Sequence, residues 1–155
     1  MSISIATVKK LRLATGAAMM DCKQALDDVE GDYERALALV KERGLAKAAK
    51  KQDRETSEGW LASYIHATGK VAALLELQSE TDFVARNEEF RQLAYNLAMQ
   101  VVAMNPPDVA ALLEQEYIRE SGVTIDYLIK QLSGKLGEKV QVARFVRFEI
   151  GEDFA

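Results

Sequence analysis

The sequence is short of the residues that most chemistry depends on. It has one cysteine, Cys22, and one histidine, His66, in 155 residues. A single cysteine excludes an intrachain disulfide and the paired thiolates of a zinc finger. His66 has no carboxylate or cysteine partner at the spacing a metal site or a nucleophile and base would need, and it reads as a surface or edge-strand residue. Glycines and lysines occur in "LSGKLGEK", but the GxxxxGK[ST] order whose amides wrap a phosphate is missing, so that segment reads as a turn. Nowhere do 18 apolar residues run together, and the N-terminus lacks the apolar stretch of a secretory signal, so a cytoplasmic protein without a membrane contact is expected. With a formal net charge of −4 and a sequence pI near 5.2, no broad attraction to nucleic acid is available. The sequence offers no catalytic constellation and implies no cofactor and no metal.

What is present is enough apolar material, 48% of the residues, to bury a core. The first 45 residues read as a three-helix domain. Ile5, Val8 and Leu11 repeat at helical spacing before Gly16, and Cys22, Ala25, Leu26 and Val29 before Gly31. Asp32 suits the cap of a third helix carrying Tyr33, Ala36, Leu37 and Val40, with Gly44 suited to its left-handed C-terminal position. Cys22 falls on the apolar side and reads as a small buried hydrophobe. Residues 46–58 read as a linker, helical at most in the alanine-rich half. Its Lys47, Lys50, Lys51 and Arg54 suggest a phosphate-binding patch. Asp53, Glu55 and Glu58 follow directly, which favours an exposed, solvated connector.

Residues 59–155 change period. "GWLASYIHATGKVAALLELQ" reads as a hairpin, with Val71, Ala73, Leu75 and Leu77 on one face. A third strand is expected in "VQVARFVRFEI", where Val146, Phe148 and Ile150 alternate with Phe145, Arg147 and Glu149. Between them, Asn87 caps the strongest helix, whose stripe is Phe90, Leu93, Ala94, Leu97, Ala98, Val101 and Val102 and which Asn105, Pro106 and Pro107 stop. Thr124 caps a further helix containing Leu128 and Leu132, with Val123 and Leu128 spaced as a hydrophobic staple. Residues 108–122 are expected to be helical as well.

Two places do not read as core or connector alone. Met19 and Met20 are adjacent in a short helix, so both cannot face its core, and exposed methionine suits an adaptable contact surface. Asp82 and Phe83 fall between the second strand and the Asn87 cap. There Phe83 is either core filler or an aromatic presented on a rigid corner, whose burial in a partner contributes roughly 1.5–3 kcal/mol.

These same stretches carry a family resemblance. "LRLATGAAMMDCKQAL" at 11–26 and "ELQSETDFVARN" at 76–87 resemble the two signatures of translation elongation factor Ts, the guanine nucleotide exchange factor for elongation factor Tu. "GDYERALALVKERGLAKAAKK" at 31–51 and "GEKVQVARFVRFEIG" at 137–151 are similar to further parts of that family. The resemblance implies an α+β protein, with an N-terminal three-helix, ubiquitin-associated-like domain and a core in which a three-stranded antiparallel sheet packs with helices. It also implies that Asp82 and Phe83, flanked by Thr81 and Val84, push against the GTPase near its nucleotide and disturb Mg²⁺ coordination. Arg12, Met19 and Met20 would make a second contact to the GTPase domain. The chain departs from the family at Ala18, where glycine is usual, at Gln78, where asparagine is usual, and after Pro107, where several tens of residues are missing. Self-association through the core sheet stays open. So do two rival readings: a protein adaptor using Met19 and Met20, and RNA binding through the 47–54 segment.

Overall fold

The computed structural model describes residues 3–153. Buried apolar side chains form two separate clusters, one in the N-terminal helices and one in the rest of the chain. The N-terminal unit begins with helix α1 (Ile5–Thr15), whose first turn is capped by Ser4, its hydroxyl accepting the Thr7 amide, and which ends at Gly16 with φ 68°. Helix α2 (Met19–Asp28) follows, and Asp32 caps helix α3 (Tyr33–Ala49) by accepting the Arg35 amide. Val8, Leu11, Cys22, Ala25, Leu26, Ala36 and Val40 close the small core between them.

Gly44 does not end α3. The helix runs on to Ala49 through alanine-rich sequence with high helix propensity, so the first part of the expected linker is helical. Gly44 serves a different purpose. Helix α7 (Ile125–Leu136) packs against α3, and a Cβ on Gly134 would lie 2.6 Å from the Gly44 carbonyl oxygen. The two helices approach through their backbones, which only a residue without a side chain at position 134 allows.

The core is built on strands β1 (Glu58–Ile65), β2 (Val71–Ser79) and β3 (Gln141–Glu149), antiparallel in the order β1-β2-β3. Ala73, Leu75 and Leu77 face inward, as their alternation predicts. Helix α5 (Glu88–Met104) covers that face. Asn87 caps it by accepting the Glu89 and Phe90 amides, and every residue of the expected stripe is buried. Thr124 caps α7 as predicted, accepting the Tyr127 amide.

Two further expectations need correction. In β3 the register slips opposite Glu76 and Leu77, so Val142 pairs with Leu77 and Phe145 with Leu75. One extra residue changes which side chains face inward. Phe145 packs on the core, Arg147 turns in and donates to the Val102 carbonyl, and Val146, Phe148 and Ile150 point outward. In residues 108–122, only helix α6 (Val109–Glu114) forms. The fully buried Gln100 explains the break: its amide donates to the Gln115 side chain and the Glu116 carbonyl and accepts the Ile118 amide. A helix through that segment would consume the backbone groups that satisfy Gln100.

The two seam glycines should respond with opposite signs. A Cβ on Gly44 meets nothing within 4 Å, so Gly44→Ala should stabilise by about 0.5–1 kcal/mol through helix propensity. Gly134→Ala should destabilise by roughly 1–3 kcal/mol as the helices are forced apart. Urea denaturation of both variants checks the pair.

Candidate partner-binding site

The corner after β2 is a four-residue helix, α4 (Asp82–Ala85), whose N-cap Thr81 accepts the Val84 amide. Its position is fixed from behind. The Thr81 amide and hydroxyl both donate to the Glu138 carboxylate, at 3.0 and 2.7 Å. The Ser79 hydroxyl donates to the Thr81 carbonyl at 2.9 Å. One residue earlier, the Glu80 carboxylate accepts the Lys139 amide at 2.7 Å and Arg54 at 3.3 Å. The turn between α7 and β3 thus holds the end of β2 through two successive carboxylate contacts.

On this frame the four candidate residues separate. Val84 and Ala85 are buried and anchor the turn in the core, so Val84 supports the site and does not present a surface. Asp82 is exposed and forms an i,i+4 pair with Arg86 at 3.1 Å. Phe83 is 83% exposed. The core-filler alternative is therefore excluded: a large aromatic stands in water on a turn anchored on both sides.

Arg12, Met19 and Met20 lie on the other unit. Met20 is 72% exposed while Met19 packs partly on the small core, the division that their adjacency requires. Both line a shallow groove of about 220 Å³ with Ile3, Ile5, Val8 and Lys23. Ile5, which the spacing places in the helical core, opens instead onto this groove and is exposed. Arg12 is exposed and lies one turn beyond Val8, on the same side of α1. Neither of the two substitutions that depart from the family strains the fold. Ala18 has φ −62° and ψ 147°, an ordinary extended conformation. The Gln78 side chain accepts from Thr56 at 2.8 Å and from Gln141 at 3.0 Å.

Sequence reasoning missed Glu138 and Lys139, which hold the corner from 57 and 59 residues away. No local pattern marks them. The His66 ring pairs with the hydroxyl of half-buried Tyr64 at 3.2 Å, and no group of three or more His, Cys, Asp or Glu suited to a metal exists among the described residues.

Comparison with known proteins covers this region. The family model described as Elongation factor TS matches residues 80–155, starting at the corner itself. A protein named elongation factor Ts from Fervidobacterium nodosum is 40% identical, with 98% of this chain and all of the relative aligned. The chain belongs to the elongation factor Ts family. A relative of the same name from Nitratidesulfovibrio vulgaris is 40% identical over the whole of both chains. The chloroplastic elongation factor Ts of Guillardia theta is 40% identical over 97% of this chain and 90% of its own. As a member of this family the protein has its role in translation elongation. It is also a shortened member: an alignment of 197 positions against 155 residues leaves at least 42 positions of the Fervidobacterium relative without a counterpart.

The brace behind the corner makes stability depend on acid. The Lys139 amide and Arg54 hold the Glu80 carboxyl below its ordinary value of 4.5, against a smaller opposing effect of burial. A depressed folded value means that the stabilisation is complete above 4.5 and is lost as pH falls through the lower folded value. Glu80→Gln should therefore be less stable than the parent at neutral pH, with the gap closing below 4.5. Urea denaturation at neutral and acid pH measures this, and a gap independent of pH would refute it.

Proposed function

We propose that this chain is a nucleotide exchange factor that binds elongation factor Tu and speeds release of its GDP, with no active site of its own. The observation that carries the reading is the exposure of Phe83 on a turn fixed by Glu138 and Glu80. A rigid aromatic loses little freedom on docking, so its burial in a partner is nearly all gain, roughly 1.5–3 kcal/mol. Placed near the nucleotide, such a wedge moves the elements that position Mg²⁺, and the ion's neutralisation of the phosphates is what holds a diphosphate. Exchange factor and nucleotide then weaken each other's binding by the same factor, which is linkage and breaks no covalent bond. Asp82 would direct the wedge by its charge. The three-helix domain, residues 1–45, would supply a second contact through Arg12, Met19 and Met20.

Within the same reading, two copies pair through the outer face of the core sheet. Leu61, Ile65, Leu74 and Val146 are exposed there, on the side of the sheet opposite α5. Apolar patches of this kind mark contact surfaces. The missing stretch would leave this face open to a second copy. The cytoplasm would be the place of work, and neither a membrane nor a direct nucleic acid contact is needed.

A second reading is favoured by the groove at Met19 and Met20: the three-helix domain as an adaptor for a peptide or ubiquitin-like partner, with the core as scaffold. The two differ at Phe83. Phe83→Ala should leave stability within about 0.5 kcal/mol, because the side chain is exposed, and should abolish most of the acceleration of GDP release from elongation factor Tu, measured with a fluorescent GDP analogue. Full acceleration by a folded Phe83→Ala would sink the wedge, and no acceleration by the parent would favour the adaptor. For self-association, sedimentation equilibrium should give a dimer for the parent and a monomer for Leu74→Glu.

A further inference from the structure

The strongest unassigned feature lies along the seam between the two units, well apart in sequence from the Phe83 corner. A cavity of about 450 Å³ opens where α2 and α3 meet the end of α7. Its lining carries five cations, Arg43, Lys47, Lys50, Lys51 and Lys135, and one acid, Asp21. That balance is the reverse of the whole chain, whose net charge is −4. Three of the cations are occupied: Arg43 by Asp28, Lys47 by Asp21 at 2.6 Å and Lys135 by Glu89 at 2.7 Å. Lys50 and Lys51 make no side-chain hydrogen bond or ion pair among the described residues.

Lys51 is the telling residue, because only 9% of it is exposed. Its stem is buried while its ammonium still reaches the solvent of the cavity, with no carboxylate or carbonyl of the described residues within bonding distance, and a partly desolvated charge is ordinarily paired. Burial pushes its ammonium below the usual lysine range, Arg54 and Lys47 add to the effect, and Glu80 opposes it. A bound anion would offset that desolvation. The neighbouring backbone suits one as well. Ala17 and Ala18 line the cavity at the start of α2, whose first-turn amides have no side-chain cap, and free helical amides favour negative charge. Gly44, Gly134 and Gly137, which carry no side chains, form part of the wall.

We propose that the seam cavity binds a small phosphate polyanion of the diphosphate class, with Lys51 and Lys50 as its primary ligands. A single-stranded RNA is the other source of phosphate charge. It is disfavoured by the concave shape and by the overall acidity of the chain, which leaves no extended basic track for a backbone to follow. Because the cations come from both α3 and α7, occupancy would tie the three-helix unit to the core.

The test is titration calorimetry of the full chain with inorganic pyrophosphate at physiological salt, repeated with ADP, to separate a free anion from a nucleotide's diphosphate. One saturable site is expected with either or both. Lys51→Met, which keeps the apolar stem, should weaken binding by about tenfold or more. Lys50→Glu reverses a charge at an exposed position and should do likewise without touching the fold, so the test survives if Lys51→Met does not fold. The proposal is overturned by no saturable binding at millimolar pyrophosphate and ADP, by isotherms unchanged in Lys50→Glu, or by an RNA oligonucleotide that binds more tightly and displaces pyrophosphate. None of these outcomes bears on nucleotide release from elongation factor Tu, so this site and the exchange reading fail separately.

Discussion

The apolar stripe of α5 lying across one face of the three-stranded sheet is the contact on which the core depends. Phe90, Leu97 and Val101 are wholly buried there against Leu75 and Leu77, and α5 packs on both β1 and β2. A sheet of three strands needs such a cover on at least one face to be stable in water. Because α5 begins at Glu88, capped by Asn87, only the short α4 separates it from the end of β2. The chain must reverse in that space, and Val84 and Ala85 are drawn into the core by the turn. Phe83, between Asp82 and Val84, is left on the outside. Exposure of the aromatic is thus a consequence of where the helix has to start.

Exposure alone would give a mobile side chain. What makes the corner rigid is the pair of carboxylates on either side of it in space, Glu138 reaching Thr81 and Glu80 reaching the Lys139 amide. Both contacts tie the end of β2 to the segment that leads from α7 into β3. Charge-assisted hydrogen bonds to backbone amides are stronger and shorter than neutral ones, so two of them fix the direction as well as the position of the turn. The unpaired sheet face and the groove at Met20 are apolar surfaces of a different kind, open and shallow, suited to packing and not to intrusion.

The seam between the units follows another constraint. Gly134 lets α7 approach the α3 backbone at Gly44, and this close crossing gathers the basic residues at the end of α3 and Lys135 around one cavity. In sequence, Lys47, Lys50 and Lys51 look like part of a solvated connector. In three dimensions Lys47 is paired, Lys50 is exposed and Lys51 is nearly enclosed. The helix runs on past Gly44 and carries them there, so Gly44 is not the stop it was taken for, and within a segment that stays mostly exposed Lys51 departs from the solvated reading.

Local signals alone determined most of the elements. Asn87, Asp32 and Thr124 cap the helices they were expected to cap, and the alternation in β2 and the stripe in α5 both face the core. These depend on hydrogen bonds and periodicities within a few residues, which the sequence carries directly. The adjacency of Met19 and Met20 likewise required that one be exposed, and the motifs around Met20 and Phe83 pointed to the family. Contacts between distant segments decided the rest. The bulge in β3 turned Phe145 inward and Val146 outward, Gln100 took the backbone groups that would have continued α6, and Glu138 braced a corner 57 residues away. Whether Gly44 ends a helix or meets another, and whether Lys51 is solvated or enclosed, depends on what packs against it, and no pattern within the segment encodes its neighbour.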